Sequence, residues 1–485
     1  MSAWSYSWRW RLARWPDVER VAPLIDYLNP VKVLGDVWDE LGILKDRALD
    51  RHLRLAVTGL SRSGKTVFIT SVVNHLIDGQ GLPFLQAVHE DRYLGARLEG
   101  EQRPDRFPYA RFHADLVAQP PRWPKATDRL ATLRLELAYR TRSLVLRQMQ
   151  PVQHLTLEII DYPGEWLLDL PLLEQSYQQF SLDALALADN PGRRTAATEW
   201  LRRLAAFDPA AAADEDAIAT LAQTYRDYLL ACHDLGLSLV QPGRFTNPGD
   251  LEGSPLLRFC PLPPGETRVG SNRARMAERY ERYREEVVRR FYEEHFVRFD
   301  RQIVLIDLLG ALNAGPEHFA DTQQSLEVIL KSFRYGSSGL LGRLFAPRID
   351  RLLFAVSKAD HVAPNQHPAL KQLLELMIQP AARAPRFQGI TVDVMTLAAL
   401  RCTDVVRTEH QGQVLSCVRG FLKADRRQTV LFPGEIPPEL PEPDDWTSGR
   451  FRFREFAPRR LLPSASGQHI RLDQALQFLI GDKFV

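Results

Sequence analysis

The chain has 485 residues, 45% of them apolar, long enough for two or three domains and a sizeable core. Its 62 basic and 60 acidic side chains leave a formal net charge of +2, so no global field argues for a nucleic-acid partner. Cys232, Cys260, Cys402 and Cys417 show no Cys-x-x-Cys spacing, no uncharged stretch approaches the ~20 apolar residues of a membrane span, and the N-terminus has no signal-peptide core, which together predict a cytoplasmic chain without zinc.

Residues 1–50 read as an N-terminal extension. Its opening run, from Trp4 through Trp8 and Trp10 to Trp15 with arginines between, has the composition of a membrane interface and allows peripheral contact with the inner membrane, or an arm packed on the body. From residue 51 the pattern changes. Leu53 to Thr58 is a short apolar run suited to a buried strand, and Gly59-Leu-Ser-Arg-Ser-Gly-Lys-Thr66 is a complete G-x-x-x-x-G-K-[ST] followed by a helical Val67 to Ile77. A loop leaving a strand and opening a helix turns its N–H groups inward at the positive end of the helix dipole, a nest for phosphate. Gly59, Ser61, Arg62, Ser63, Gly64 and Val67 line that loop, Lys65 can reach the β- and γ-phosphates, and the Thr66 hydroxyl can ligate Mg²⁺.

A stretch rich in Pro and Arg runs to Lys125, after which Leu133, Leu135, Leu137 and Tyr139 alternate as in a half-buried strand. Leu155 to Ile160 then runs into Asp161-Tyr-Pro-Gly164. In that position Asp161 can hold Mg²⁺ through a water, and the Gly164 amide can move onto a γ-phosphate. Residues 51–165 form the first part of a nucleotide domain on this reading, and 166–300 form a helical insertion. The end of the insertion repeats Met276, Tyr280, Tyr283, Val287 and Phe291 at helical spacing, with Arg and Glu between them forming a solvated face.

The second part of the domain, 301–430, opens with strand Ile303 to Asp307, whose terminal Asp is a rival to Asp161 but lacks the following x-x-Gly. Leu352 to Val356 is a further strand, followed by Ser357-Lys-Ala-Asp360. Asp360 can accept hydrogen bonds from the N1–H and exocyclic amine of guanine, and the stem of Lys358 can lie along the nucleotide; adenine offers the wrong donor pattern. Ser357 replaces the Asn or Thr usual in such a motif, which weakens the case for guanine relative to that for phosphate. Strand Ile390 to Met395 follows. Residues 431–485 read as a linker, dense in proline from Pro433 to Pro443, and a C-terminal segment.

Strands alternating with helices predict a doubly wound α/β sheet with ligand at the carboxyl ends of the strands. The four stretches Arg51–Thr66, Asp161–Trp166, Ser357–His361 and His469–Lys483 resemble the Ras-like G domains, and more closely the bacterial YcjX-like stress-protein family of P-loop GTPases. The resemblance implies an α/β fold: a Ras-like P-loop NTPase domain with a large helical insertion and a C-terminal extension. It implies GTP and GDP with Mg²⁺ as ligands, slow GTP hydrolysis, an unidentified protein partner and a stress-response setting. By the same resemblance Thr127 is the candidate switch threonine closing on Mg²⁺, Ala399 and Leu400 sit where a backbone amide meets the guanine oxygen, and His361 extends the base motif. Glu165 stands where a water-orienting Gln is usual. An ATP-dependent enzyme sharing only the P-loop, and a scaffold with structural nucleotide, remain open at this point.

Overall fold

The computed structural model describes residues 52–60, 62–100, 105–125, 127, 129–333, 349–382, 390–410, 412–462 and 467–484. The N-terminal tryptophan-rich segment and Ser61 lie outside them. The centre of the fold is a seven-stranded sheet in the order β2-β3-β4-β1-β5-β6-β7. Its strands are β1 (His52–Gly59), β2 (Tyr93–Leu98), β3 (Ala131–Arg140), β4 (Val152–Asp161), β5 (Arg301–Ile306), β6 (Arg351–Val356) and β7 (Thr391–Thr396). β1 pairs in parallel with both β4 and β5, β6 continues the parallel run to β7, and β2 and β3 add an antiparallel edge.

The central strands read as unbroken apolar runs because both faces of the sheet are covered. Leu53, Leu55, Val57, Ile303, Leu305, Leu353 and Ala355 point to one face, with Phe68, Ile69, Val72 and Leu76 of the P-loop helix Lys65–Asp78. The same face receives Leu472, Ala475, Leu476 and Leu479 of the C-terminal helix Leu472–Ile480. This helix is tied down at its C-terminal end: Arg301, fully buried, donates to the Leu479 carbonyl at 3.1 Å and the Asp482 carboxylate at 2.8 Å, and Arg92 donates to the Phe484 carbonyl at 2.6 Å. Ala56, Ile160, Val304, Ile306, Leu352, Phe354 and Val356 point to the opposite face, against the insertion and the helices Pro316–Ser332 and His367–Ala382.

Helices dominate the insertion. Pro191–Ala205 and Glu215–Asp234 pack side by side, with Trp200 stacked on Tyr228 at 5.1 Å. The expected amphipathic helix runs over Asn272–Tyr283, and Met276, Tyr280, Tyr283, Val287 and Phe291 are all buried. It continues through a π-helical turn, Arg284–Arg289, into Arg290–Glu294. That extra residue in the turn shifts the helical phase, so Val287 and Val288 are both inward.

A second sheet was not expected from the sequence. β8 (Asp404–His410), β9 (Gln413–Phe421) and β10 (Gln428–Leu431) form an antiparallel meander in the order β10-β9-β8. Within the proline-rich stretch after it, Gln366 donates to the Gly434 carbonyl at 2.7 Å and accepts from the Ile436 amide at 3.0 Å. No helix of the described residues is long and apolar enough to cross a membrane.

Candidate functional site

The carboxyl ends of β1, β4, β5 and β6 open onto a cleft of about 940 Å³. The P-loop is shaped by two glycines. Gly64, the residue before the helix, sits at φ 83°, in the left-handed region that favours glycine. At Gly59 a Cβ would lie 2.8 Å from the Leu305 carbonyl oxygen and 2.2 Å from Ser63 Oγ. Arg62 is also left-handed, at φ 61°, and exposed at the mouth of the loop.

Lys65 does not point to solvent. Its ammonium lies 2.8 Å from Asp161 Oδ1 and 2.7 Å from the Tyr162 carbonyl oxygen, so the P-loop and the Asp161–Gly164 segment are joined by one side chain. They also meet through backbone: a Cβ on Gly164 would sit 2.3 Å from the Gly59 carbonyl oxygen. Thr127 donates to Asp161 Oδ2 at 2.7 Å, which brings the expected switch threonine to the same carboxylate. Thr66 lines the cleft beside them and is buried. Two hydroxyls and a carboxylate beside the P-loop are hard oxygen donors of the kind that hold Mg²⁺, and the glycines at 59 and 164 let the P-loop backbone pack directly against Leu305 and against the segment after β4.

Asp307, the rival carboxylate, is engaged elsewhere. It caps the helix Leu308–Ala314 by accepting from the Gly310 amide at 3.0 Å and pairs with Lys358. Burial alone pulls the Lys358 ammonium below its usual range, but the Asp307 carboxylate against it more than offsets this and leaves its pKa raised. Lys358 itself is left-handed at φ 57°, which turns Asp360 inward. One oxygen of the buried Asp360 carboxylate accepts from the Cys402 amide at 2.7 Å, and its main-chain carbonyl accepts from Thr403. The loop carrying Ala399 and Leu400 lines the same end of the cleft, held by mutual hydrogen bonds between Ala398 and Ile470. His361 is also in the lining, its ring edge-on to Phe456 at 5.1 Å, and burial pushes its pKa down.

All the described candidate residues except Asp161 line this one cleft, and Asp161 touches two that do. The profile of the YcjX-like family matches residues 53–484. The Ras-like GTPase YcjX of Escherichia coli strain K12 is 42% identical over 459 residues, covering 92% of this chain and 98% of that protein. The Ras-like GTPase YcjX of Shewanella oneidensis is 40% identical over 474 residues, covering 91% of this chain and 96% of that protein.

The chain belongs to the YcjX-like family.

The site of this YcjX-like protein contains residues that sequence reasoning missed, on both sides. At the base end, Trp123 donates to the Phe456 carbonyl at 3.0 Å, linking the Thr127 segment to the C-terminal extension, and Lys423 pairs with Glu455 at 2.7 Å. Phe456 follows no motif, and only the fold brings it to His361. At the phosphate end the insertion supplies His233, Thr246 and Asn247 to the lining. The insertion also grips the segment that follows Gly164. Trp166 donates to the Asn247 carbonyl at 3.0 Å and lies under the Arg244 guanidinium, 3.3 Å from its ring centre. Asp169, fully buried, accepts from the Gly243 amide at 2.8 Å and the Tyr283 hydroxyl at 2.5 Å; burial pushes its pKa up to about 6 despite those bonds.

Proposed function

We propose that this chain binds GTP and GDP with Mg²⁺, hydrolyses GTP slowly and acts as a nucleotide-dependent switch, in a bacterial stress response as its family resemblance implies. The observation that carries the reading is the convergence on one cleft of the P-loop, of Asp161 with Thr127 and Lys65, and of the Asp360 carboxylate. Both relatives are Ras-like GTPases by name, which supports it.

Each group has a task that its position suits. The P-loop amides and Lys65 would hold the β- and γ-phosphates, and Lys65, already within reach of Asp161, needs only a side-chain rotation to exchange that partner for phosphate. Thr66, Thr127 and Asp161 would hold Mg²⁺, which when bound neutralises charge on the phosphate oxygens. Gly164 would offer its amide to the γ-phosphate. Phosphoryl transfer is mostly positioning and charge stabilisation, so these groups suffice for slow turnover. Asp360, fixed on one side by the Cys402 amide, would present its remaining acceptor capacity to the guanine edge. The insertion, attached directly after Glu165 and bonded to Trp166 and Asp169, is the surface through which the nucleotide state would reach a protein partner.

Displacement of a fluorescent GDP tests the base reading. GTP and GDP should compete at least tenfold better than ATP, and Asp360→Asn should shift preference toward xanthine nucleotides because the amide reverses one hydrogen bond. Equal competition by ATP would sink the guanine assignment. Hydrogen exchange should differ between the complexes with GDP and a GTP analogue across 166–300, and identical exchange there would place the output surface elsewhere.

A further inference from the structure

Glu165 poses a chemical problem that the insertion addresses. A carboxylate after Gly164 can accept a hydrogen bond from an attacking water, yet it brings negative charge toward a γ-phosphate. His233 faces it from the last turn of the helix Glu215–Asp234, with Nε2 3.9 Å from Glu165 Oε1, and both residues line the cleft beside Gly164. That separation is within ion-pair range and about an ångström beyond a direct hydrogen bond. A helix C-terminus also favours a cation at that position.

The two side chains are held in register by the backbone around them. A Cβ on Gly243 would lie 2.1 Å from the Glu165 carbonyl oxygen, so the insertion packs main chain to main chain against this residue. The turn after His233, where the Gly236 amide donates to the His233 carbonyl at 2.9 Å, approaches the P-loop: a Cβ on Gly236 would be 4.0 Å from the Arg62 guanidinium. Among the described residues Asp234 also faces His233, with its carboxylate 3.9 Å from Nδ1 and mostly exposed.

We propose that His233 is a positioning residue for Glu165, supplied in cis by the insertion. The proposal rests on the GTPase reading above and names how its water is handled. The imidazole N–H draws the Glu165 carboxylate away from the γ-phosphate, leaving one oxygen to accept from the attacking water. Water oxygen bonds to the γ-phosphorus, the bond from that phosphorus to the β–γ bridging oxygen breaks, GDP leaves with the electron pair, and the water proton ends on the released phosphate.

The test combines His233→Ala, His233→Gln, Glu165→Gln and the double variant His233→Ala/Glu165→Gln in single-turnover GTP hydrolysis, with fluorescent-GDP affinity measured in parallel. His233→Ala should slow hydrolysis about tenfold or more while affinity stays within about twofold, and His233→Gln, which keeps an N–H donor, should recover most of the loss. Glu165→Gln keeps an oxygen that can accept from the water and removes the carboxylate charge, so it should raise the rate above wild type. In that neutral background His233→Ala should have no further effect, because there is no carboxylate charge left to hold away from the phosphate. An equal loss in both backgrounds, an unchanged rate in His233→Ala, or a loss of affinity matching the loss of rate would each overturn the assignment. A wild-type chain that binds GDP and releases no phosphate from GTP would overturn the hydrolysis reading itself, and this assignment with it.

Discussion

The two walls of the cleft are built on different principles. On the sheet wall the site groups, Thr127 before β3 excepted, come from a strand end or the loop just after it: Lys65 and Thr66 after β1, Asp161 and Gly164 at and after β4, Lys358 and Asp360 after β6. Parallel strands fixed in register by covered faces hold such groups in place whatever lies beyond. On the insertion wall, His233 and Asn247 reach the cleft because Asp169, Trp166 and Gly243 clamp the insertion to the segment around Gly164. The sheet wall therefore carries chemistry in short motifs, whereas the insertion wall carries it in tertiary contacts.

The largest effect should be on the sheet wall. Lys65→Ala removes the cation from the P-loop and leaves the buried Asp161 without its cationic partner, and single-turnover phosphate release should fall about a thousandfold. A loss under tenfold would show that the loop's amides alone do the work and would erase the contrast between the walls.

Stability should divide the two walls by pH. His75, on the P-loop helix, is buried with its ring 5.0 Å from His469 of the C-terminal segment, and burial pulls its pKa down to about 4. Its folded pKa lies below the unfolded value near 6.5, so the unfolded chain takes up the proton first. Stability from this group is complete above about pH 6.5 and falls as pH drops toward 4, by up to about 3 kcal/mol. Asp169 behaves oppositely: its folded pKa of about 6 lies above its usual 3.8, so its contribution is complete below about pH 4 and is lost as pH rises through 6. Urea unfolding at pH 7.5 and 4.5 should show a smaller acid loss in His75→Gln than in wild type and a larger one in Asp169→Asn. Identical acid losses in all three would show that neither group governs its wall.

The smallest effect probes the clamp itself. Gly243→Ala forces a methyl against the Glu165 carbonyl and should cost about 2 kcal/mol of stability, with nucleotide affinity reduced by less than Lys65→Ala reduces it. An alanine tolerated without change would mean that the insertion rides loosely on the segment after Gly164.

The same contrast explains what could be read from the chain. Strands β1, β4, β5 and β6 announce themselves as apolar runs ending at Gly59, Asp161, Asp307 and Ser357, and the loops after β1, β4 and β6 carry most of the candidate site residues. The meander β8 to β10 gave no such signal because its strands are largely exposed; Val405, Val414 and Val430 face outward, so no apolar side alternates with a polar one. Strand β2 and the helix Tyr109–Val117 were hidden in a stretch that composition marked as loop. His233 could not have been singled out at all, since a histidine in the last turn of a surface helix is ordinary until Glu165 is seen beside it.

The C-terminal helix lies on the face of the sheet that also carries the P-loop helix, so the first strand of the described fold receives its cover from nearly its last residues. During synthesis the phosphate cradle is therefore translated long before the surface behind it can close. A chain halted before Leu472 would present Leu53, Ile303 and Leu353 to the surroundings, a bare apolar sheet beside a finished loop. Quality control by chaperones and proteases would then act on the binding competence of this protein through its tail, and a lesion in Leu476 or Leu479 would be felt as loss of nucleotide before any residue of the cleft had changed.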